Sequence, residues 1–302
     1  MVARNRGLVF FVCGLISGCT LFICRETDME VFLMAKNSKQ VVKTVLKMED
    51  YLKKKLESNP KKQWDEFYIK KQIDSRNGGA SFDLKDHIRA MIYAMLSAGS
   101  VWDRFEKFYN PETGHYDTID KVFCCCNAEK LIEADKIALQ TALQHEEIKG
   151  GNRSIKVQLK ALPANIRKMQ KWQKKCGSVD AYLQQFIDEK DGKPDFKRLV
   201  RRLADEKSED KLQQMGEALC AEYLRNVGYD LAKPDAHVCK ALGNGEDGIG
   251  SVDKIEANPY EVLDIVKEIA DAMGKTPAEV DYILWAFYAK GYGDGGKNGC
   301  RA

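Results

Sequence analysis

The chain has 302 residues, 44% of them hydrophobic and 31% charged, a composition that excludes an intrinsically disordered polypeptide and suffices for one domain or two closely packed lobes. The formal net charge of only +3 does not impose a nucleic-acid partner; such a partner has to meet a local basic face. The 10 cysteines form no Cys-x-x-Cys pair, and His115 and His145 lack ligand-like spacing to Cys124, Cys125 and Cys126. Free thiols are therefore expected, with neither a disulfide framework nor a metal site.

In chain order, Leu8 to Cys24 is a run of 17 mostly apolar residues behind Arg4 and Arg6. It reads either as a signal or short anchor with its positive charges on the cytoplasmic side, or as a stretch upstream of a true start at Met29 or Met34. The lysine-rich, helical sequence that follows favours the second reading, which sets residues 1–33 apart. From there on apolar residues recur at three-and-four spacing with little strand-like alternation, so the expected fold class is all-α. Helices are predicted over 37–57 and 61–73, forming an N-terminal extension at 34–80, and then over 83–97, 100–109, 128–143, 155–175 and 178–187. Further helices are predicted over 195–205, 210–227, 235–242, 259–273 and 276–290, and a Gly-rich tail at 293–302. Loops fall at 110–114, 149–152, 191–194 and 243–250, where Gly, Pro and Asn cluster. Basic runs at Lys53 to Lys55, Lys61 and Lys62, Lys70 and Lys71, Lys168 to Lys175 and Lys197 to Arg202 supply local positive charge, though a solvated helix face is the ordinary fate of each. Thr276, Pro277 and Glu279 open the last helix with a capping box, and its aromatic residues Tyr282, Trp285 and Tyr288 read as packing.

The segment with most chemical content is Leu212-Gln-Gln-Met-Gly216 followed by a helix to Gly228 and then Lys233-Pro-Asp235-Ala-His237-Val. A glycine at the mouth of a helix bares backbone N–H groups that can hold a phosphate. Pro234 forces a break, after which Asp235 either caps the next helix or projects a carboxylate into a cleft. His237 falls in the first turn of that helix, where hydrogen bonding to nearby backbone is the simpler role, and His87 lies on an amphipathic helix.

This order of turn glycine, helix, glycine, short loop and Pro-Asp-x-His-Val resembles the core of the helix-hairpin-helix DNA glycosylases, the endonuclease III-like superfamily. Phe82 to Gly99 is similar to the early family helix ending in Leu-Leu-Ser-Ala-Gln. Ile148 to Ser154, leading through Lys160 to Ala164-Asn165-Ile166-Arg167, resembles the family's Gly-containing loop and the helix after it. The likeness spans about residues 82–292.

The resemblance implies a two-lobed helical domain over 81–292 with a helix-hairpin-helix element, double-stranded DNA in the cleft, a monomer, and a monovalent cation bound at the hairpin. It implies Asp235 as the catalytic carboxylate that stabilises an oxocarbenium-like transition state and orients water. It implies Gln214, Met215 and Gly216, Ser97 and Gly99, and Asn152 and Arg153 as DNA contacts, with Tyr93, Trp102 and Tyr223 among candidates for lining the base pocket. The expected activity is N-glycosidic bond hydrolysis in base excision repair, in the cytoplasm and nucleoid-associated. The alternatives are a non-catalytic DNA-binding protein, or a helical scaffold tethered through residues 8–24. Three departures from the family pattern matter. Gln214 stands where relatives carry a hairpin glycine, Gly99 replaces the glutamine after Ser-Ala, and Glu217 or Ala218 stands at the lyase lysine position. Hydrolysis without strand cleavage is therefore expected, with Lys211 or Lys233 as the lysines that could substitute. The tail carries Cys300 alone where an iron–sulfur cluster needs four ligands, so no cluster is expected unless Cys300 converges with Cys220 and Cys239.

Overall fold

A computed structural model describes residues 26–98, 107–148, 153–190, 192–246 and 248–294. Over these residues the chain is all-α apart from one small hairpin. The first helix, α1 (Glu26–Lys55), buries Val41, Val45, Met48 and Leu52 at three-and-four spacing, and this stripe packs on α12 (Pro259–Met273) and α13 (Pro277–Tyr288). Single 3₁₀ turns at Pro60–Lys62 and Trp64–Glu66 lead into α2 (Tyr68–Asn77), whose Tyr68, Ile69 and Ile73 are buried.

The centre of the molecule is α3 (Leu84–Ser97). Asp83 and Asp86 close a capping box at its start, and every residue from His87 to Leu96 is buried. A helix buried all round needs partners on each side. They are α10 (Glu217–Asn226) and α7 (Arg153–Cys176), beyond which lie α4 (Asp117–Val122), α5 (Ala128–Glu133), α6 (Lys136–His145) and α8 (Val179–Gln184). The polar groups of α3 are paired: Arg89 Nε donates to Asp120 at 2.8 Å and Tyr93 Oη to the same carboxylate at 2.7 Å. Asn226 Nδ2 on α10 donates to Ala90 O at 3.0 Å.

After α10 the chain turns at Gly228, whose φ of +79° suits glycine and whose Cβ, were there one, would stand 2.4 Å from Gln72 O on α2. The turn delivers residues 229–235 to α11 (Ala236–Leu242). Residues 41–73 belong to the same hydrophobic cluster as the rest of the core, so the predicted extension is built into it.

Several predicted boundaries differ. α1 begins at Glu26 and runs across the expected break at residue 33. The predicted 128–143 helix is two, because Asp135 caps a new start by accepting from Ile137 N. The 61–73 helix is two 3₁₀ turns and α2, the Asp117–Val122 helix is an addition, and residues 210–216 form a turn ahead of α10. Asp188–Lys190 and Lys193–Asp195 pair antiparallel around Gly192, with Asp188 opposite Asp195, in place of unbroken helix and loop. The predicted 100–109 helix falls largely outside the described residues, as do residues 8–24. Among the described residues no helix is long and apolar enough to cross a membrane.

Candidate functional site

Helix α9 (Lys197–Ala204) and α10 are joined by residues 205–216, and long side chains hold that turn in shape. Asn165 on α7 bonds it twice, donating to Gln213 O at 3.0 Å and accepting from Gln213 N at 2.8 Å. Lys168 Nζ reaches Glu209 O and Lys211 O at 2.5 and 2.9 Å. Lys211 Nζ reaches Ala204 O at 2.6 Å and Met215 O at 2.7 Å. Lys168 and Lys211 thus satisfy carbonyls of the turn, and Lys211 is committed there rather than standing free as a nucleophile. Gln214 adopts φ +60°, keeping a left-handed backbone without a glycine, while the Met215 side chain is fully buried. Gln214 therefore carries a side chain at a left-handed position, and the Met215 backbone is already paired, its N–H donating to Leu212 O at 3.2 Å and its carbonyl accepting from Lys211. Gly216 is the N-cap of α10.

A cleft of about 500 Å³ opens between the first turn of α10, the end of α3, the loop before α11 and α13. Ala218 and Leu219, Ser97 and Ala98, Lys233, Pro234, Asp235 and His237, and Asp281, Tyr282 and Trp285 line it, with Phe67 from the segment before α2. Asp235 caps α11 and also faces this cleft. Its Oδ1 accepts from His237 N at 2.9 Å and Val238 N at 3.1 Å, so both bonds fall on one oxygen and Oδ2 has no protein donor among the described residues. Asp235 is thus the N-cap of α11 and also one of the residues lining the cleft.

Behind Asp235 lies a buried ion cluster. Arg225 Nη1 of α10 contacts Asp281 Oδ2 of α13 at 2.5 Å and Glu222 Oε2 at 3.9 Å. Lys233 Nζ lies 3.7 Å from Glu222 Oε2 and 3.5 Å from Ser97 Oγ. Burial pushes the Asp281 carboxyl up to about 6, against the pull of Arg225 and with the help of the nearby Asp235 charge. Burial opposes the Arg225 charge, yet Asp281 and Glu222 raise its pKa, so it remains a guanidinium. Perturbed ionisable groups converging on a cleft are a recurrent mark of functional sites.

One wall of the cleft is aromatic. Phe67 and Tyr282 have ring centroids 5.3 Å apart, Phe67 and Trp285 6.1 Å, and Trp64 stands 5.5 Å behind Tyr282. Tyr282 and Trp285 are therefore cleft wall as well as packing, which corrects the reading of the stripe as packing alone. Tyr93 and Tyr223 are not pocket residues: Tyr93 is bonded to Asp120, and Tyr223 is fully buried with its hydroxyl 2.7 Å from His87 Nδ1. Trp102, Gly99 and Asn152 lie outside the described residues. Arg153 opens α7, and its side chain lies outside what is described.

The basic runs are largely drawn into ion pairs: Lys53 with Glu49, Lys70 with Asp74, Lys71 with Glu66, Lys197 with Asp264, and Arg202 with Glu209 and Asp210. Among the described residues no group of three or more His, Cys, Asp or Glu is arranged to hold a metal ion. Cys220 and Cys239 are buried with burial pushing both thiols up, while Cys300 lies outside the described residues. Sequence reasoning missed Asp281. Its signal was present, since one carboxylate inside the apolar stretch Val280 to Phe287 has to be paired wherever that face is buried. No model of a known protein family matches this chain, and neither does any curated protein or any solved structure.

Proposed function

We propose that the chain is a monofunctional DNA N-glycosylase that releases a damaged or mispaired base by Asp235-assisted attack of water. The carrying observation is Asp235, held by its Oδ1 at the start of α11 and lining a cleft that has an aromatic wall. Departure of a base leaves positive charge on the sugar, and a fixed carboxylate in a water-poor cleft lowers that barrier. The base must first leave the duplex, and the half-buried Trp285, backed by the buried rings of Phe67 and Tyr282, forms an apolar wall against which an extruded base packs.

In this reading α9, the 205–216 turn and α10 form the helix-hairpin-helix element, and the cleft separates two helical lobes that take double-stranded DNA. The backbone amides of Gln214 and Gly216 and the Ser97 end of α3 contact the strand, the Met215 N–H being bonded to Leu212 O. Lys211's ammonium supplies, on the carbonyls of Ala204 and Met215, charge of the kind a hairpin-bound monovalent cation would bring. The test is abasic-site release from duplexes bearing uracil, alkylated purines or oxidised bases. Wild-type protein releases one of them, and Asp235→Asn lowers the rate at least about a hundredfold; activity undiminished in Asp235→Asn removes the proposal. The ordered but glycine-poor turn favours a second reading, DNA binding without chemistry, which predicts salt-sensitive affinity and no base release.

A further inference from the structure

We propose that Asp281 is a positioning residue for Asp235, holding the loop that carries it so that Asp235 stays at the wall of the cleft. Asp281 is 2% exposed and divides its oxygens between two elements. Oδ1 accepts the backbone N–H of Lys233 at 2.8 Å, and Oδ2 takes Arg225 on α10 at 2.5 Å. Lys233 O in turn accepts the Asp235 N–H at 2.8 Å, so a continuous chain of bonds runs from α13 to the backbone of Asp235. The other end of the loop is fixed to the same helix, where Asp230 Oδ1 accepts Ala278 N at 2.9 Å.

The groups that face Asp281 are Arg225 and Glu222 from α10 and Lys233 and Asp235 from the loop. Two further carboxylates nearby make this an expensive place for an ionised aspartate. An acid that burial raises to about 6 opposes folding once it ionises, so stability alone does not account for it. What the ionised form supplies is geometry: it alone offers two acceptors at once, to a guanidinium and to the backbone N–H ahead of Asp235.

This inference rests on the glycosylase reading, so the test uses ligands whose binding needs no turnover. Two duplexes are compared, one carrying a cationic pyrrolidine in place of the target sugar and the other a neutral tetrahydrofuran. A correctly aimed Asp235 binds the cationic duplex at least about tenfold tighter at pH 7.5. That preference declines as pH falls through about 6, where Asp281 takes up its proton. Asp281→Asn abolishes the preference at every pH. The double variant Arg225→Met with Asp281→Asn, which removes the Arg225–Asp281 pair together and leaves Glu222 to Lys233, abolishes it as well while retaining the helical circular dichroism of wild type. A preference retained in a folded variant overturns the positioning role and leaves the glycosylase reading standing. No preference in wild type overturns both.

Discussion

Two aspartates in ion clusters, half-buried Asp180 and buried Asp281, do opposite things. Asp180, on α8, accepts from Arg76 Nη2 at 2.8 Å and Tyr229 Oη at 3.2 Å, with buried His87 Nε2 3.2 Å away. Burial raises its carboxyl, but the bonds and charges of His87 and Arg76 outweigh burial and hold it at about 2. Asp281 has fewer donors and a neighbouring carboxylate, and burial wins. The backbone repeats the contrast. The left-handed position next to Arg76 is a glycine, Gly228, whereas the left-handed position in the turn before α10 is Gln214. The Asp180 side obeys the local rules of stability and the cleft side breaks them, the pattern expected where a fold keeps strain for function.

The sharpest way to break this contrast is Asp180→Ala. It strands Arg76, which also donates to Val227 O at 2.6 Å and stacks over Tyr229 at 4.0 Å, and it strips buried His87 of its carboxylate. Loss of one partner from a largely buried pair costs about 3–5 kcal/mol, and urea denaturation measures it. A loss under about 1 kcal/mol would mean that Asp180 is no staple.

The next effect is in pH and has opposite sign on the two sides. Asp180 binds its proton more weakly folded than unfolded, so its contribution is present above the ordinary value of 3.8 and is lost as pH falls towards about 2. Asp281 binds its proton more tightly when folded, so its contribution is complete below 3.8 and is lost as pH rises through about 6. At about 1.4 kcal/mol per unit, these are about 2 and 3 kcal/mol. Stability measured from pH 2 to 8 should lose its acid-side slope in Asp180→Asn and its decline between pH 4 and 6 in Asp281→Asn. The same slopes in both variants and wild type would erase the distinction.

Which parts of this were legible in the sequence follows from how local their causes are. The helix predicted over 259–273 has those bounds in the structure, because its signals are its own: Asn258 and Glu261 form the capping box, Pro259 opens it, and Gly274 ends it at φ +65°. The helix predicted from 210 starts at Glu217 instead, because residues 205–216 are shaped by Asn165 and Lys168, 40 or more positions away in the chain. Asp235 was legible because Pro234 marks the break in front of it. Asp281 and Trp285 were not, since only the packing of α13 on α1, α11 and α12, with the bonds of Asp281 to Arg225 and Lys233 N, decides that their face meets a cleft.

The smallest effect isolates the turn itself. Holding a non-glycine residue left-handed costs about 1–2 kcal/mol, and glycine's greater loss of chain entropy returns about 0.5–1 of that, so Gln214→Gly should stabilise the protein by about 0.5 kcal/mol. Removing the side chain also clears the space beside the Gly216 amide. If that amide holds phosphate, duplex affinity rises together with stability, and titration of labelled DNA at fixed salt detects it. Stability that rises without affinity leaves the turn as a strained joint and moves DNA contact elsewhere on the cleft. Stability that falls shows that the Gln214 side chain contributes more than its backbone costs, and the contrast with Gly228 then rests on the aspartates alone.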